Sequence, residues 1–437
     1  MTAGEGTSPL TTYDVGRVRA WFPGIRGELA RFDSPGGSLV AGQVADAVHA
    51  AMTSGLNQRG TLHEHERRAE SVVRECRAAL GDLLGTDPTG VVLGRSATAL
   101  VMQAAATLAQ GWGPGDEVVV CRLDHDSNIR PWVIAAERAG ATVRWLGIDP
   151  VTGEVDDVAP LLTDRTRLVA VTGASNLVGT RPDVAAIAAA AHAVGALVHV
   201  DAVHLTPHAP VDRVALGADL LTCSPYKFFG PHLGALAADP ALLETLRPDK
   251  LLPSSDAVPE RFELGTLPYE LLAGTTAAVD VVADLVPGAA TPTGSRRERV
   301  VTSMTALAAY EAGLLAHLLD GLAAMPHVTV HGRAAHRTPT VLLTVAGVEN
   351  AQVSRHLADH GVVAPHSSFY ALEASRALGL GDAGGVRVGL AAYTTRDEVD
   401  RLLAGLAPLG GSRVEPAQPS GRTRRLGEEG WVSDGGT

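Results

Sequence analysis

The chain has 437 residues, 46% hydrophobic and 19% charged, which allows a large buried core and argues against general disorder. At roughly 100–200 residues per domain, the length predicts two or three units, or one large α/β domain with an appendage. The formal net charge of −12 argues against a nucleic-acid partner, and no apolar run approaches the ~20 residues of a membrane span. Aromatic residues are only 4%, so Ala, Val and Leu must build the core. The three cysteines, Cys76, Cys121 and Cys223, show no C-x-x-C spacing, and neither a disulfide framework nor a zinc site is expected. Cys121 and Cys223 fall in strand-like runs and read as small buried hydrophobes. The opening "MTAGEGTSPL" lacks a signal-peptide pattern, and a cytoplasmic protein is expected.

In chain order, residues 1–30 are expected to join a small domain or to be loose. "GVVLG" (90–94) is a short apolar run, and "ATALVMQAAATLAQG" (97–111) has helical spacing that stops at Gly111. "DEVVVCR" (116–122) predicts a strand and "NIRPWVIAAERAG" (128–140) a helix. "TVRWLGI" (142–148), "RLVAVTGA" (167–174), "LVHVDAV" (197–203) and "DLLTCSP" (219–225) all read as strands, with an Ala-rich helix over 183–195. Near-continuous apolar strands alternating with helices indicate a mostly parallel sheet covered on both faces. "HLGALAA" (232–238) follows closely enough to be an antiparallel return strand. The large domain is therefore drawn over 31–290. After a turn-rich stretch near 290, "HVTVHG" (327–332), "TPTVLLTVAG" (338–347) and "GVRVGLAAY" (385–393) predict a small α+β domain over 291–410. Its last helix begins at a capping box of Thr395 and Glu398. Residues 411–437 are rich in Gly, Pro, Ser and charge, and are expected to form a flexible tail.

Open α/β sheets bind ligands beyond the carboxyl ends of their strands. Asn176, Asp201 and Lys227 each fall at the carboxyl end of a predicted strand, about one βα unit apart, which should bring them to one rim. Lys227, in "CSPYKFFGPHLGAL", stands in a run that otherwise reads as buried. A lone buried ammonium is costly, whereas a Schiff base removes the charge. A carboxylate at a neighbouring strand end suits a protonated pyridine nitrogen. The pair points to pyridoxal 5'-phosphate. His125, in "LDHDSNIRPW", offers a stacking face. "GRSATAL" (94–100) offers a phosphate nest at a helix start, and Ser224 adds a hydroxyl. Taken singly, Asp201 also reads as a strand-end cap and His125 as a surface histidine. "GRSAT" is how many helices begin. The combination in this order is what is specific.

At these residues the chain resembles the class V aminotransferase family of fold-type I pyridoxal-phosphate enzymes, in particular the cysteine desulfurase and selenocysteine lyase branch. The resemblance covers about 30–408 and rests on "DHDSNIRPW", the run from "GASNLVG" through "SPYKFFGPHLGAL", "FELGTLPYELLAGTTAAVD" and "GVRVGLAAYTTRDEVDRLLAGL". It implies a large domain with a mostly parallel seven-stranded sheet between helices, a small α+β domain, and a homodimer with sites at its interface. It implies that Lys227 holds the cofactor and shuttles the substrate α-proton, that Asp201 pairs with the ring nitrogen, and that His125 stacks on the ring. Asn176 and His204 would face the phenolic oxygen, although the family usually has Gln where His204 stands. Ser96, the Ala97 N–H and Ser224 would hold the phosphate, with Thr266 reaching the phosphate of the other subunit. Arg387 would grip the substrate carboxylate, Gly37 would approach the substrate, and His366 is an acid–base candidate or a solvated loop histidine.

One departure bears on the reaction. Desulfurases carry a cysteine on a small-domain loop, but here "APHSSFYALEASRALGL" (364–380) has Ser367 and Ser368 and no cysteine. A serine cannot form a persulfide. The leading expectation is a C–S lyase acting on a cysteine-derived or S-substituted amino acid. The alternative is an amino-acid epimerase or aminotransferase on the same scaffold. A silent scaffold or sulfur-carrier partner is a third reading, against which the full set of cofactor positions speaks. A nucleotide-binding protein is disfavoured, since no G-x-G-x-x-G opens a helix after a strand.

Overall fold

The computed structural model describes residues 13–27, 29–287 and 294–410. The first twelve residues, the boundary expected at 290–291 and the tail expected over 411–437 lie outside the described residues. The described chain opens with α1 (Val15–Arg19), β1 (Ala30–Arg31), α2 (Gly42–Thr53) and α3 (Glu64–Leu84). β2 (Val91–Gly94) then leads through α4 (Ala97–Leu108) to β3 (Glu117–Cys121), α5 (Arg130–Ala139), β4 (Thr142–Leu146) and β5 (Thr166–Thr172). α6 (Val184–Ala193), β6 (Leu197–Asp201), β7 (Leu220–Cys223) and β8 (Gly234–Ala238) follow.

The strands from β2 to β8 form one seven-stranded sheet in the order β2-β8-β7-β6-β5-β3-β4. β3, β4, β5, β6 and β7 pair in parallel, and β8 runs antiparallel to both of its neighbours. The sheet is dry on both faces. Val119 and Cys121 of β3 pack with Val169 and Val171 of β5 in one apolar cluster. Val118 and Val120 pack with Leu168 and Ala170 in another. Successive side chains of a strand point to opposite faces, so an unbroken apolar run needs cover on both sides.

α7 (Pro240–Thr245), α8 (Tyr269–Ala283) and α9 (Arg296–Ala323) come next. α2 and α3 pack on α8. α9 joins two cores: Val300, Met304 and Leu307 lie in that of the large sheet, and Leu314, Leu315, Leu318 and Leu322 in a second. The second core is built by β9 (Val328–His331), β10 (Thr340–Val345), α10 (Asn350–Asp359), β11 (Val362–Val363), β13 (Gly385–Gly389) and α12 (Arg396–Leu406), whereas the short β12 (His366–Ser367) is exposed and α11 (Leu372–Ala377) sends Ala374 into the first core. The small sheet is antiparallel in the order β12-β13-β10-β9. β1 leaves the N-terminal segment to pair with β11, and Ala30 and Phe32 fill the second core, whereas Val18 and Phe22 fill the first. Thr395 and Glu398 form a capping box at α12. Among the described residues no helix is long and apolar enough to cross a membrane.

Candidate active site

Parallel strands end on one edge of a sheet, and the polar residues that follow them meet there. Thr172, Asp201 and Thr222 are in register across β5, β6 and β7, the last residues or nearly so of each. Beyond this edge lies a cavity of about 790 Å³ whose walls include Lys227, Asp201, His125, Asn176, His204 and Arg387. That size suits a cofactor together with a small substrate. Ser96, Ala97 and Ser224 line it as well.

Lys227 ends a single tight turn after β7, with its backbone N–H on the Ser224 carbonyl at 3.0 Å. Its Nζ donates to the Pro35 carbonyl and lies 4.9 Å from the Tyr226 ring centre. Burial lowers its pKa to about 7, Arg387 adds to the shift, and Asp201 opposes it. A large share of the amine is therefore neutral, and nucleophilic, at physiological pH. Burial raises the Asp201 carboxyl to about 6, against the pull of the Val203 N–H and Lys227. At physiological pH it is still mostly ionised, a buried charge that a cation brought beside it would stabilise.

His125 follows β3. Its Nδ1 accepts from the Ser127 N–H at 3.1 Å, and burial followed by Lys227 lowers its pKa to about 4. The ring is neutral with its hydrogen on Nε2, and Tyr370 stacks on it at 5.4 Å between centroids. Its neighbours in the "DHDSNIRPW" motif lie beneath the site. Asn128 Nδ2 donates to Asp124 Oδ1 at 2.6 Å, while Asn128 Oδ1 accepts from Trp132 Nε1 at 3.0 Å and bonds His199 Nδ1 at 2.6 Å. Asp124 Oδ2 accepts the Thr172 N–H at 3.0 Å. All four motif-linked side chains are fully buried.

At the opposite wall, Ser96 caps α4 by accepting the Ala99 N–H at 3.1 Å. The N–H groups of a first helical turn have no acceptor within the helix and form an anion nest. Gly234 of β8 makes the nest possible, because a Cβ there would stand 2.2 Å from the Ser96 carbonyl carbon.

Arg387, on β13, is held by the second sheet. Its Nη1 donates to the Asn176 carbonyl at 2.9 Å, and Phe369 covers its guanidinium at 3.7 Å. Asn176 Nδ2 donates in turn to the Phe369 carbonyl at 2.9 Å, which fixes the orientation of the amide. Asn176 Oδ1, His204 Nδ1 and Arg387 Nε are buried with no hydrogen-bond partner among the described residues.

Three of the residues singled out from the sequence lie outside the cavity walls. Gly37 packs its Cα on Tyr226, where a Cβ would meet the ring at 3.3 Å, and Gly36 reaches the cavity instead. His366 is exposed on β12 and bonds Ser354 at 3.1 Å; strand alternation turns Ser367 toward the cavity in its place. Thr266 is exposed on the loop before α8, away from this chain's cavity. Conversely, Tyr226, Phe369, Tyr370, Ser127 and Thr98 line the cavity without having been assigned a place there. Phe369 and Tyr370 adopt φ of +51° and +60°, a backbone region that disfavours residues with a Cβ. The Tyr370 carbonyl accepting from the Asp126 N–H at 2.7 Å helps hold them there.

An amine of lowered pKa, a buried carboxylate suited to a cationic partner, an anion nest and unpartnered buried polar atoms around one cavity fit pyridoxal phosphate. The fold and site define a pyridoxal-phosphate-dependent enzyme. Comparison with known proteins agrees. The family model for class V aminotransferases matches residues 31–402. The uncharacterized protein MT3887 of Mycobacterium tuberculosis is 37% identical over 91% of this chain and 100% of its own. The aminotransferase-like protein FGM3 of Gibberella zeae is 30% identical over 91% and 98%. The apo structure of a cysteine desulfurase from Thermococcus onnurineus NA1 superposes with a TM-score of 0.81 at 23% identity, covering 90% of this chain and 97% of that one. The chain belongs to the class V aminotransferase family.

Proposed function

We propose that the protein is a cysteine desulfurase-like C–S lyase that acts on a cysteine-derived or S-substituted amino acid and uses no persulfide cysteine. The observation that carries this is the composition of the cavity's rim. Ser367, Phe369 and Tyr370 stand there, with no thiol. Cys76, Cys121 and Cys223 are all fully buried, and burial pushes each thiol up, that of Cys223 to about 12. A thiolate able to take sulfur needs exposure and a low pKa.

Pyridoxal phosphate, bound in this cavity, supplies an electron sink that acidifies the substrate's α-carbon. The Lys227 amine would hold the cofactor and then take the α-proton on Nζ. The Asp201 carboxylate would accept the hydrogen of the ring nitrogen, and the neutral His125 ring would cover a face of the bound cofactor. Arg387 binds the substrate carboxylate once Phe369 makes room. The net reaction takes R–S–CH2–CH(NH3+)–COO− and water to R–SH, pyruvate and ammonium. Large apolar side chains exposed on loops support a homodimer: Leu252 at 98%, Leu62 at 81% and Leu264 at 66%. Thr266 lies two residues from Leu264, where it can serve the partner's phosphate.

The test is incubation of the loaded protein with S-substituted cysteines, followed by assay of thiol, pyruvate and ammonia. Equal yields of the three support the proposal. Keto-acid-dependent amine transfer would favour the aminotransferase reading, to which the name of the Gibberella zeae relative lends weight. Inversion at the α-carbon alone would favour an epimerase.

A further inference from the structure

The wall residue His204 departs from the expected glutamine, and the structure supplies it with a partner from the other sheet. His204 Nε2 lies 2.9 Å from the hydroxyl of Thr340, the first residue of β10, and both side chains are buried. The Thr340 hydroxyl carries one hydrogen, and among the described residues its side-chain partner is His204 Nε2. If Nε2 carried the imidazole hydrogen, the hydroxyl hydrogen would face no acceptor in a dry interior, which is costly. The satisfied arrangement has the hydroxyl donating to Nε2. The neutral ring then carries its hydrogen on Nδ1, which has no partner.

We propose that Thr340 is a positioning residue that fixes the His204 tautomer, so that Nδ1–H donates to the phenolic oxygen of pyridoxal phosphate. This rests on the cofactor-bound reading above. His204 comes three residues after Asp201, and the phenolic oxygen sits two ring carbons from the nitrogen that Asp201 serves. The ring must be neutral for the tautomer to matter, and its surroundings ensure this. Burial drives its pKa well below the usual value, with His208, Lys227 and Arg387 adding to the shift. His208 meets it edge-on at 5.1 Å and is itself paired with Glu311 of α9 at 2.9 Å.

Thr340 is held in place independently of His204. Arg337 donates to the carbonyls of Thr340 at 2.7 Å, Val178 at 2.8 Å and Gly332 at 3.0 Å, tying the small sheet to the segment behind Asn176. Gly179, at φ +79°, lets the strand approach, since a Cβ there would stand 2.8 Å from the Thr340 carbonyl oxygen.

The experiment is a pH titration of the visible absorbance band of the loaded protein without substrate. A donor to the phenolic oxygen favours its deprotonated form, so losing it should raise the midpoint. T340V frees the ring to take either tautomer and is expected to raise the midpoint by up to about one unit, the most that losing one charge-assisted hydrogen bond would give. T340S keeps the hydroxyl and should keep the midpoint. T340A also removes it and should match T340V, which guards against a variant that fails to fold. In an H204Q background the amide donates without help, so T340V should shift nothing. An unchanged midpoint in T340V and T340A, or a shift that persists with H204Q, overturns the inference and leaves the cofactor assignment standing. Absence of any visible band from wild-type protein supplied with the cofactor would overturn both.

Discussion

Asn128 is a sharp test of how the site is supported. It has no solvent exposure, and its amide serves three buried partners, Asp124, Trp132 and His199. Truncation to alanine strands one acceptor and two donors at once. Each unsatisfied buried group costs about 1–3 kcal/mol. A water entering the space left by the amide would recover part of that. A net loss of about 3–5 kcal/mol is expected, a large fraction of the roughly 5–15 kcal/mol that holds a typical fold. The control is Asn350, whose amide makes one part-buried bond, to the Gly384 carbonyl at 3.1 Å. N350A should cost about 1 kcal/mol. Urea unfolding of the cofactor-free variants, fitted with a common slope, measures both. The Asn128 network also anchors the residue before His125, so N128A should weaken cofactor retention as well. If N128A lost no more stability than N350A, the assignment of three simultaneous desolvation penalties would be wrong.

K227A should still take up pyridoxal phosphate noncovalently but lose turnover by at least about 10³-fold, the scale of a lost general base; retained turnover in the same assay would remove Lys227 from the chemistry. The depressed Lys227 pKa gives a pH dependence with a definite sign. Its amine is protonated below about 7 and neutral above, so the rate at which cofactor-free protein captures pyridoxal phosphate should rise between pH 6 and 8 and then level off. A stopped-flow pH series that kept climbing to pH 10 would mean an ordinary solvated lysine. L252E should convert a dimer to a monomer in sedimentation velocity, because a charge cannot be buried unpaired in an interface; a wild-type monomer, or a dimer indifferent to the change, would discount these leucines as contact residues.

Much of this architecture follows from local sequence alone. The apolar runs at 116–122, 167–174 and 197–203 are strands because both sheet faces are covered. A strand–helix period of about 25 residues puts Asn176, Asp201 and Lys227 on one rim, with no need to know how the sheet twists. The Ser96 nest was legible for a similar reason, since a glycine, a capping hydroxyl and a helix are neighbours in the chain. Residues whose place depends on chain segments far apart were not legible. Thr340 meets His204 across 136 positions, and Phe369 reaches Asn176 across 193. Within "DHDSNIRPW", the motif was visible, but the burial of Asp124, Asn128 and Trp132 around His199 was not. The choice of Gly36 over Gly37, and of Ser367 over His366, turns on side-chain direction at single positions. Periodicity reports which residues are apolar and how they alternate along one segment. It carries no information about which segment the remaining polar atoms will face, and that was decided only when the second sheet docked on the first.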